Sequence, residues 1–191
     1  MFRRMLGDVA CIIVLGILLG KFFDIFDVYK SIENIKRGRW MGGRMYSALD
    51  VAKYVIQYCG ERHYFLSNLK LQKILYFIQA EFLIVKGYPC FYEDIEAWAF
   101  GPVVPDVYHE YKIFGSAGIV TSDSVDYAKE IQDQDLNLIN GIVDDTAEYS
   151  TSALVDITLH QKPWEVAYSK YRNNKISNQS IKNFFETEEQ E

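Results

Sequence analysis

Cysteine is scarce. Cys11, Cys59 and Cys90 form an odd set with no C-x-x-C pair. That argues against a disulfide framework and against a thiolate metal site, and it suits a reducing cytoplasm. The chain has no Gly-rich phosphate loop, no G-x-S-x-G and no H-E-x-x-H, so the signatures of P-loop, hydrolase and zincin chemistry are missing. Histidine is as sparse: His63, His109 and His160 stand alone. His109-Glu110 and His160 read as surface or cap groups rather than an acid–base site, and nothing has the ligand spacing of a metal centre. We therefore expect no catalytic residue, no metal and no cofactor. No apolar run reaches the ~20 residues of a membrane-spanning helix; residues 9–20 supply about half of that.

What is present is the composition of a globular protein: 191 residues, 49% hydrophobic and 24% charged, with aromatics at 15%. That is enough chain for one ordinary domain with a sizeable, Tyr- and Phe-rich core. The formal net charge of −6 is unevenly spread. Residues 1–44 hold 8 Lys/Arg and 4 Asp/Glu, so the remainder holds 12 basic and 22 acidic residues and carries −10. An acidic body lacks the cations that displace counterions from a phosphate backbone. A protein, and a basic one in particular, is its natural partner.

Residues 1–44 do not match the rest. A basic start precedes the apolar run, and Lys21, Asp24 and Asp27 end it. Three readings compete: Met45 is the true start, the segment is a short membrane anchor with cytoplasmic Lys/Arg, or it is an extra helix on the body. Gly42-Gly43 just ahead of Met45 fits the first, because two glycine codons can spell a purine-rich ribosome-binding site.

The organising stretch is residues 67–86. Ser67 is an N-cap whose hydroxyl accepts from a first-turn N–H, and Gly87 can take the left-handed conformation that ends a helix. Leu71, Ile74, Leu75, Ile78, Phe82 and Val85 recur at three- and four-residue steps, and Leu69, Phe77, Leu83 and Ile84 fill most of the remaining circumference. A helix apolar nearly all round is buried, which makes this the central core helix. Before it, Ser47 opens a helix that Gly60 stops. After it, residues 95–100 form a short strand or arm ended by Gly101-Pro102. Helices follow over 103–114, 133–149, 151–160, 163–171 and 177–185. Residues 115–126 form the most flexible loop, and 186–191 an acidic, frayed tail. The fold class is all-α, a single domain over 45–185 with at most a minor β element.

Two constellations carry information about contact. Lys70, Lys73, Tyr76 and Gln79 stand about one turn apart, on one stripe of the central helix. The stripe either meets solvent, with the lysine stems lying over apolar surface, or lines a contact with a partner. Trp98-Ala99-Phe100-Gly101-Pro102-Val103 places two large aromatics before Gly-Pro. They are either core anchors or a partly exposed platform of the kind that dominates interfaces.

These blocks resemble the Panacea domain family of SocA-like antitoxins, which includes phage-associated GepA-type proteins. The resemblance is carried by Ser67-Asn68-Leu69-Lys70-Leu71-Gln72-Lys73-Ile74-Leu75-Tyr76-Phe77-Ile78-Gln79, then by Glu96-Ala97-Trp98-Ala99-Phe100-Gly101-Pro102-Val103-Val104-Pro105 and Tyr108. Ser152-Ala153-Leu154, Thr158, Pro163-Trp164 and Ile176-Ser177 with Ile181 and Phe184-Phe185 complete it. One departure is visible: Leu159 stands where the family usually has His, and His160 comes one position later. The resemblance implies a mostly helical domain without catalytic activity, an antitoxin that neutralises a toxin, usually encoded beside it, by direct binding. Lys70, Lys73, Tyr76, Trp98 and Phe100 are the expected partner-contact residues. Competing classes are a mobile-element accessory protein, nucleic-acid-associated or enzymatic, and a membrane-tethered partner protein.

Overall fold

A computed structural model of the chain describes residues 43–120, 125–170 and 172–188, together with the backbone of 39–40. The expectations for the apolar run at 9–20 and for the last residues of the tail lie outside the described residues. The chain divides into two units, 1–41 and 42–191, and everything below concerns the second.

Among the described residues, seven helices accompany a three-stranded antiparallel sheet. In chain order these are α1 (Ala48–Glu61), α2 (Asn68–Val85), β1 (Ile95–Trp98), β2 (Gly101–Val103), α3 (Pro105–Tyr111), α4 (Asp133–Ala147), α5 (Thr151–Leu159), α6 (Lys162–Ala167), β3 (Lys175–Ile176) and α7 (Asn178–Glu188). The domain is mainly helical with a minor β element, as the sequence leads one to expect. Short 3₁₀ turns at Lys112–Phe114 and Tyr127–Glu130 complete it.

The helix starts follow their caps. Ser47, Ser67 and Ser150 each hold an extended backbone and accept from an N–H three residues on, at Asp50, Lys70 and Ala153. Each satisfies one of the donors that a helix N-terminus leaves free. The helix ends are less regular. Gly60 does not stop α1, which runs on to Glu61 and turns at His63, a non-glycine residue at φ 59°. The helix expected over 163–171 stops at Ala167, and α7 extends past Phe185 to Glu188. Between them Lys175–Ile176 adds a strand that no local pattern announces, pairing Ile95 with Ile176 and Glu96 with Lys175.

α2 is the hub. It packs against α1, α3, α4, α5, α7 and β2. Leu71, Ile74, Leu75, Ile78 and Phe82 are at most 1% exposed. A helix surrounded on most sides carries polar side chains inside as well: Asn68, Lys70, Gln72, Lys73 and Gln79 are all buried, while Glu81 is half-buried and Val85 is exposed. Buried polar groups are costly unless hydrogen-bonded, and these five have partners. Asn68 Nδ2 donates to the Tyr108 carbonyl (3.0 Å), and Asn68 Oδ1 accepts from Gln72 Nε2 one turn later (2.9 Å). Gln72 Oε1 accepts from Val104 N (3.0 Å). Gln79 exchanges both amide bonds with Phe91, accepting from its N–H and donating to its carbonyl, each at 3.2 Å. The helix thus supplies the hydrogen bonds that the irregular segments around it lack.

A second buried network fixes the domain's first residues. Tyr46 N donates to the Cys90 carbonyl (2.8 Å) and Tyr46 Oη donates to Asp135 (2.6 Å). Asp135, fully buried on α4, also pairs with Lys86 at 3.2 Å. A charged side chain at 135 is unexpected for an inward position; a tyrosine and a lysine make it tolerable.

Because Gln79 satisfies both backbone groups of Phe91, Gln79→Leu leaves a donor and an acceptor buried without partners. We expect a loss of about 2–4 kcal/mol in urea unfolding, clearly more than for Gln179→Leu, whose exposed side chain on α7 bonds Asn183 one turn on.

Candidate partner-binding site

β1 and β2 form a hairpin whose last pair is Trp98 with Gly101. Ala99 and Phe100 are therefore its two-residue turn. Gly101 takes φ 98°, a conformation that a side chain makes unfavourable. The space around it is closed as well. A Cβ at residue 101 would sit 2.7 Å from Lys73 Nζ and 2.7 Å from Thr158 Oγ1. The turn is thus pressed onto α2 and α5 at the one place where a missing side chain allows it.

Four contacts hold the turn from below. Lys73 Nζ donates to the Pro102 carbonyl (2.8 Å). Trp164 Nε1 donates to the Trp98 carbonyl (2.9 Å), tying the turn to α6. Trp98 Nε1 donates to Glu96 Oε2 (2.8 Å). The Trp98 ring meets Tyr108 edge-on, with centroids 4.9 Å apart, an arrangement that adds to simple burial. Against this fixed base Phe100 is 66% exposed. A phenylalanine facing water on a rigid turn gives nothing to folding.

The five expected contact residues thus separate. Phe100 is exposed and Trp98 half-buried, and the two share the hairpin tip. Lys70, Lys73 and Tyr76 lie inside the domain, at 5%, 0% and 0% exposure. Their stripe faces neighbouring elements because six of those elements enclose α2. Lys70 Nζ donates to the carbonyls of Ala147 (3.0 Å) and Tyr149 (2.8 Å), where the C-terminus of α4 leaves acceptors free and favours a cation. Burial lowers its pKa, offset in part by Cys59. The Tyr76 ring packs against Phe77 and Phe185, and its hydroxyl has no hydrogen-bond partner among the described residues. Burial pushes that phenol well above its ordinary range.

Lys73 is the most unusual of the three. It forms no ion pair among the described residues, and burial alone pulls its amine down from 10.5 to about 7. Thr158, on the other side of Gly101, keeps its hydroxyl within α5, donating to the Leu154 and Val155 carbonyls (3.0 Å each). Thr158 and Trp164 were legible only through the family pattern; nothing in local spacing marks either as a support for the turn.

The other sequence candidates gather no chemistry. His109 is exposed beside Trp98 and Tyr108. His160 is exposed, with Nδ1 2.8 Å from the Asp156 carbonyl and 3.7 Å from its carboxylate. Among the described residues no group of three His, Cys, Asp or Glu is placed to hold a metal ion, and no helix is long and apolar enough to cross a membrane.

The arrangement is that of a helical domain displaying one aromatic turn. Residues 71–165, 95 of the 191, match the family model described as Antitoxin SocA-like, Panacea domain. This part of the chain belongs to that family, and it contains Lys73, Trp98, Phe100, Gly101, Thr158 and Trp164. A relative, Antitoxin SocA from Caulobacter vibrioides (strain NA1000 / CB15N), is 47% identical over 55 residues, which is 29% of this chain and 29% of that protein. The match thus spans under a third of the relative's length. No solved structure matches.

Two outcomes follow from the geometry around Gly101. Gly101→Ala combines an unfavourable φ with two contacts that have no room, and should cost about 2 kcal/mol or more in chemical unfolding. The second concerns pH. An amine depressed when folded is protonated sooner on unfolding, so the unfolded chain binds more protons between the two pKa values, and stability rises with pH there. From about pH 7 to about 8.5 we expect a gain of up to ~1.4 kcal/mol per unit. Above that window the buried thiols Cys59 (pushed up to about 11) and Cys90 act in the opposite sense. Lys73→Met should abolish the rise, as read by denaturant midpoints across the window.

Proposed function

We propose that this chain is the antitoxin of a toxin–antitoxin system and neutralises its toxin by direct protein–protein binding, without a catalytic step, in the cytoplasm. The SocA-like Panacea match over residues 71–165 carries the reading. The toxin is the product of a neighbouring gene. The composition supports a basic partner, since the chain from residue 45 onward has ten more acidic than basic residues.

The contact surface we assign is the hairpin tip. Phe100 and Trp98 present the aromatic face, while Lys73 and Gly101 set its position and Lys70 and Tyr76 act through the fold. Interface hot spots are large side chains on pre-ordered supports, because little conformational entropy is lost when they bind. Phe100 on a two-residue turn fits that description. The edge of the sheet supports recognition by side chains rather than by strand addition. On β2 Pro102 has no N–H and its carbonyl is taken by Lys73, and the Val104 N–H beyond it is taken by Gln72.

Phe100→Ala should fold as the wild type does, with unchanged thermal midpoint and circular dichroism. Affinity for the toxin should fall by about thirtyfold, the equivalent of ~2 kcal/mol. The assay is growth of cells expressing the neighbouring gene with each form of this chain. Rescue by wild type and failure of Phe100→Ala at equal protein level is the expected result. A neighbouring gene that is harmless alone overturns the antitoxin reading, and full rescue by Phe100→Ala overturns the assigned surface.

A further inference from the structure

The turn that displays Phe100 is tied to the core by a group whose charge is variable. Lys73 reaches it from the second turn of α2, fully buried, and its amine donates to the Pro102 carbonyl. An ammonium carries three donors and a neutral amine two, so one carbonyl serves the neutral form far better. A buried ammonium without a counter-ion is among the most unfavourable groups a core can hold.

Among the described residues no neighbouring charge supplies that counter-ion. The charged groups on the elements packed around α2 are engaged elsewhere or at the surface. On α4, Asp135 pairs with Lys86 and Asp144 accepts from Tyr58. On α5, Asp156 lies beside His160, and on α7, Glu186 pairs with Lys182. Asp106 and His109 of α3 are exposed, β2 has no titratable side chain, and the thiol of Cys59 on α1 is held protonated by burial. Burial alone sets the amine's affinity for protons.

We infer that Lys73 is a proton-linked latch on the Phe100 turn: releasing the Pro102 carbonyl lets the amine reach water and take up a proton, so the turn is held more tightly as the solution becomes more basic. Gly101 makes the latch specific to this turn, since it alone lets the backbone lie directly on Nζ and Thr158 Oγ1. The step is a proton uptake from solvent coupled to opening, and no bond other than N–H is formed.

The linkage fixes the direction and the range. The open amine has its ordinary value of 10.5 and the closed one is near 7. Between those limits each unit of acidification raises the opening constant by up to about tenfold. Below about pH 7 the closed form itself carries the proton, and the dependence flattens. The consequence for the toxin rests on the function proposed above. A partner that binds only the closed turn sees its apparent affinity reduced by the fraction open.

The test is hydrogen exchange by mass spectrometry on the full chain alone, at about pH 7.0, 7.75 and 8.5, corrected for the intrinsic exchange rate. The expected result has two parts. Hairpin amides over residues 98–104 are less protected than those of α2 at every pH, and their protection rises by about tenfold per pH unit. Lys73→Met should lose the pH dependence while keeping a folded α2. Should that variant fail to fold, an Nζ titration of Lys73 by NMR in the wild-type chain replaces it, with a midpoint near 7 expected. Hairpin protection independent of pH overturns the latch. So does protection equal to that of α2 throughout, which would mean the turn opens only when the whole domain unfolds, and so does an Nζ midpoint near 10.5. Because no toxin is present, failure here leaves the antitoxin reading untouched, and a harmless neighbouring gene leaves this result untouched.

Discussion

The structure depends on one arrangement: a largely buried helix whose inward polar side chains bond to other elements' backbones. α2 turns Asn68, Lys70, Gln72, Lys73 and Gln79 inward, and each ends on a group outside the helix or on another member of the set. Hydrophobic burial of Leu71, Ile74, Leu75 and Ile78 supplies the drive to enclose the helix. The polar bonds decide where everything else goes, because an unpaired backbone group in the same interior would be strongly unfavourable. The segment at Phe91, the carbonyl of Tyr108, the end of α4 and the start of α3 are thereby held in one register to one helix. Several such bonds to different neighbours make alternative packings expensive, which is how a polar core specifies a single structure.

The same arrangement explains why the turn at Phe100 is held from within while its tip faces water. The hairpin of β1 and β2 is short, three residue pairs of which the last lies at Gly101, and a pair of short strands is not stable alone. It is held by Lys73, Gln72 and Trp164, from α2 and α6. Support from inside frees the outward side chain of the turn from any role in folding. Phe100 is exposed because the residues beneath it do the holding, and that combination of rigid support and unused apolar surface is what binding to a partner protein requires.

The buried amine marks a compromise within this scheme. A glutamine or methionine at position 73 would fill similar space without the desolvation cost. Lysine brings reach: its four-carbon stem carries a donor across to the Pro102 carbonyl. Lys70 uses the same reach differently, taking two carbonyls at the C-terminus of α4, where the helix dipole favours a cation. Two lysines one turn apart thus serve opposite electrostatic settings, one favourable to charge and one not. The stem length is visible in the residue type; the setting is not.

That contrast sets the boundary between sequence and fold here. The run from Leu69 to Val85, apolar nearly all round, announces a central buried helix, and Ser47, Ser67 and Ser150 announce three helix starts, because capping and periodicity are local physics. The hairpin at Trp98 to Val103 was half legible: Gly101-Pro102 marked a stop, yet the chain turns back and pairs, since a glycine at φ 98° can end one strand and begin the next. The strand at Lys175–Ile176 and the buried Asp135 had no local signal, because each depends on partners far away in the sequence, Ile95 and Glu96 for the strand and Tyr46 and Lys86 for the carboxylate. The stripe of Lys70, Lys73 and Tyr76 and the aromatic block at Trp98 and Phe100 were visible in the sequence, but not the direction in which their side chains point. By itself the sequence determined a helical domain with a buried α2 and a distinctive aromatic turn. Only the tertiary structure decided that Lys70, Lys73 and Tyr76 lie inside and Phe100 outside, because exposure is fixed by which elements enclose a residue, and six of them close around α2 while none covers the tip of the turn.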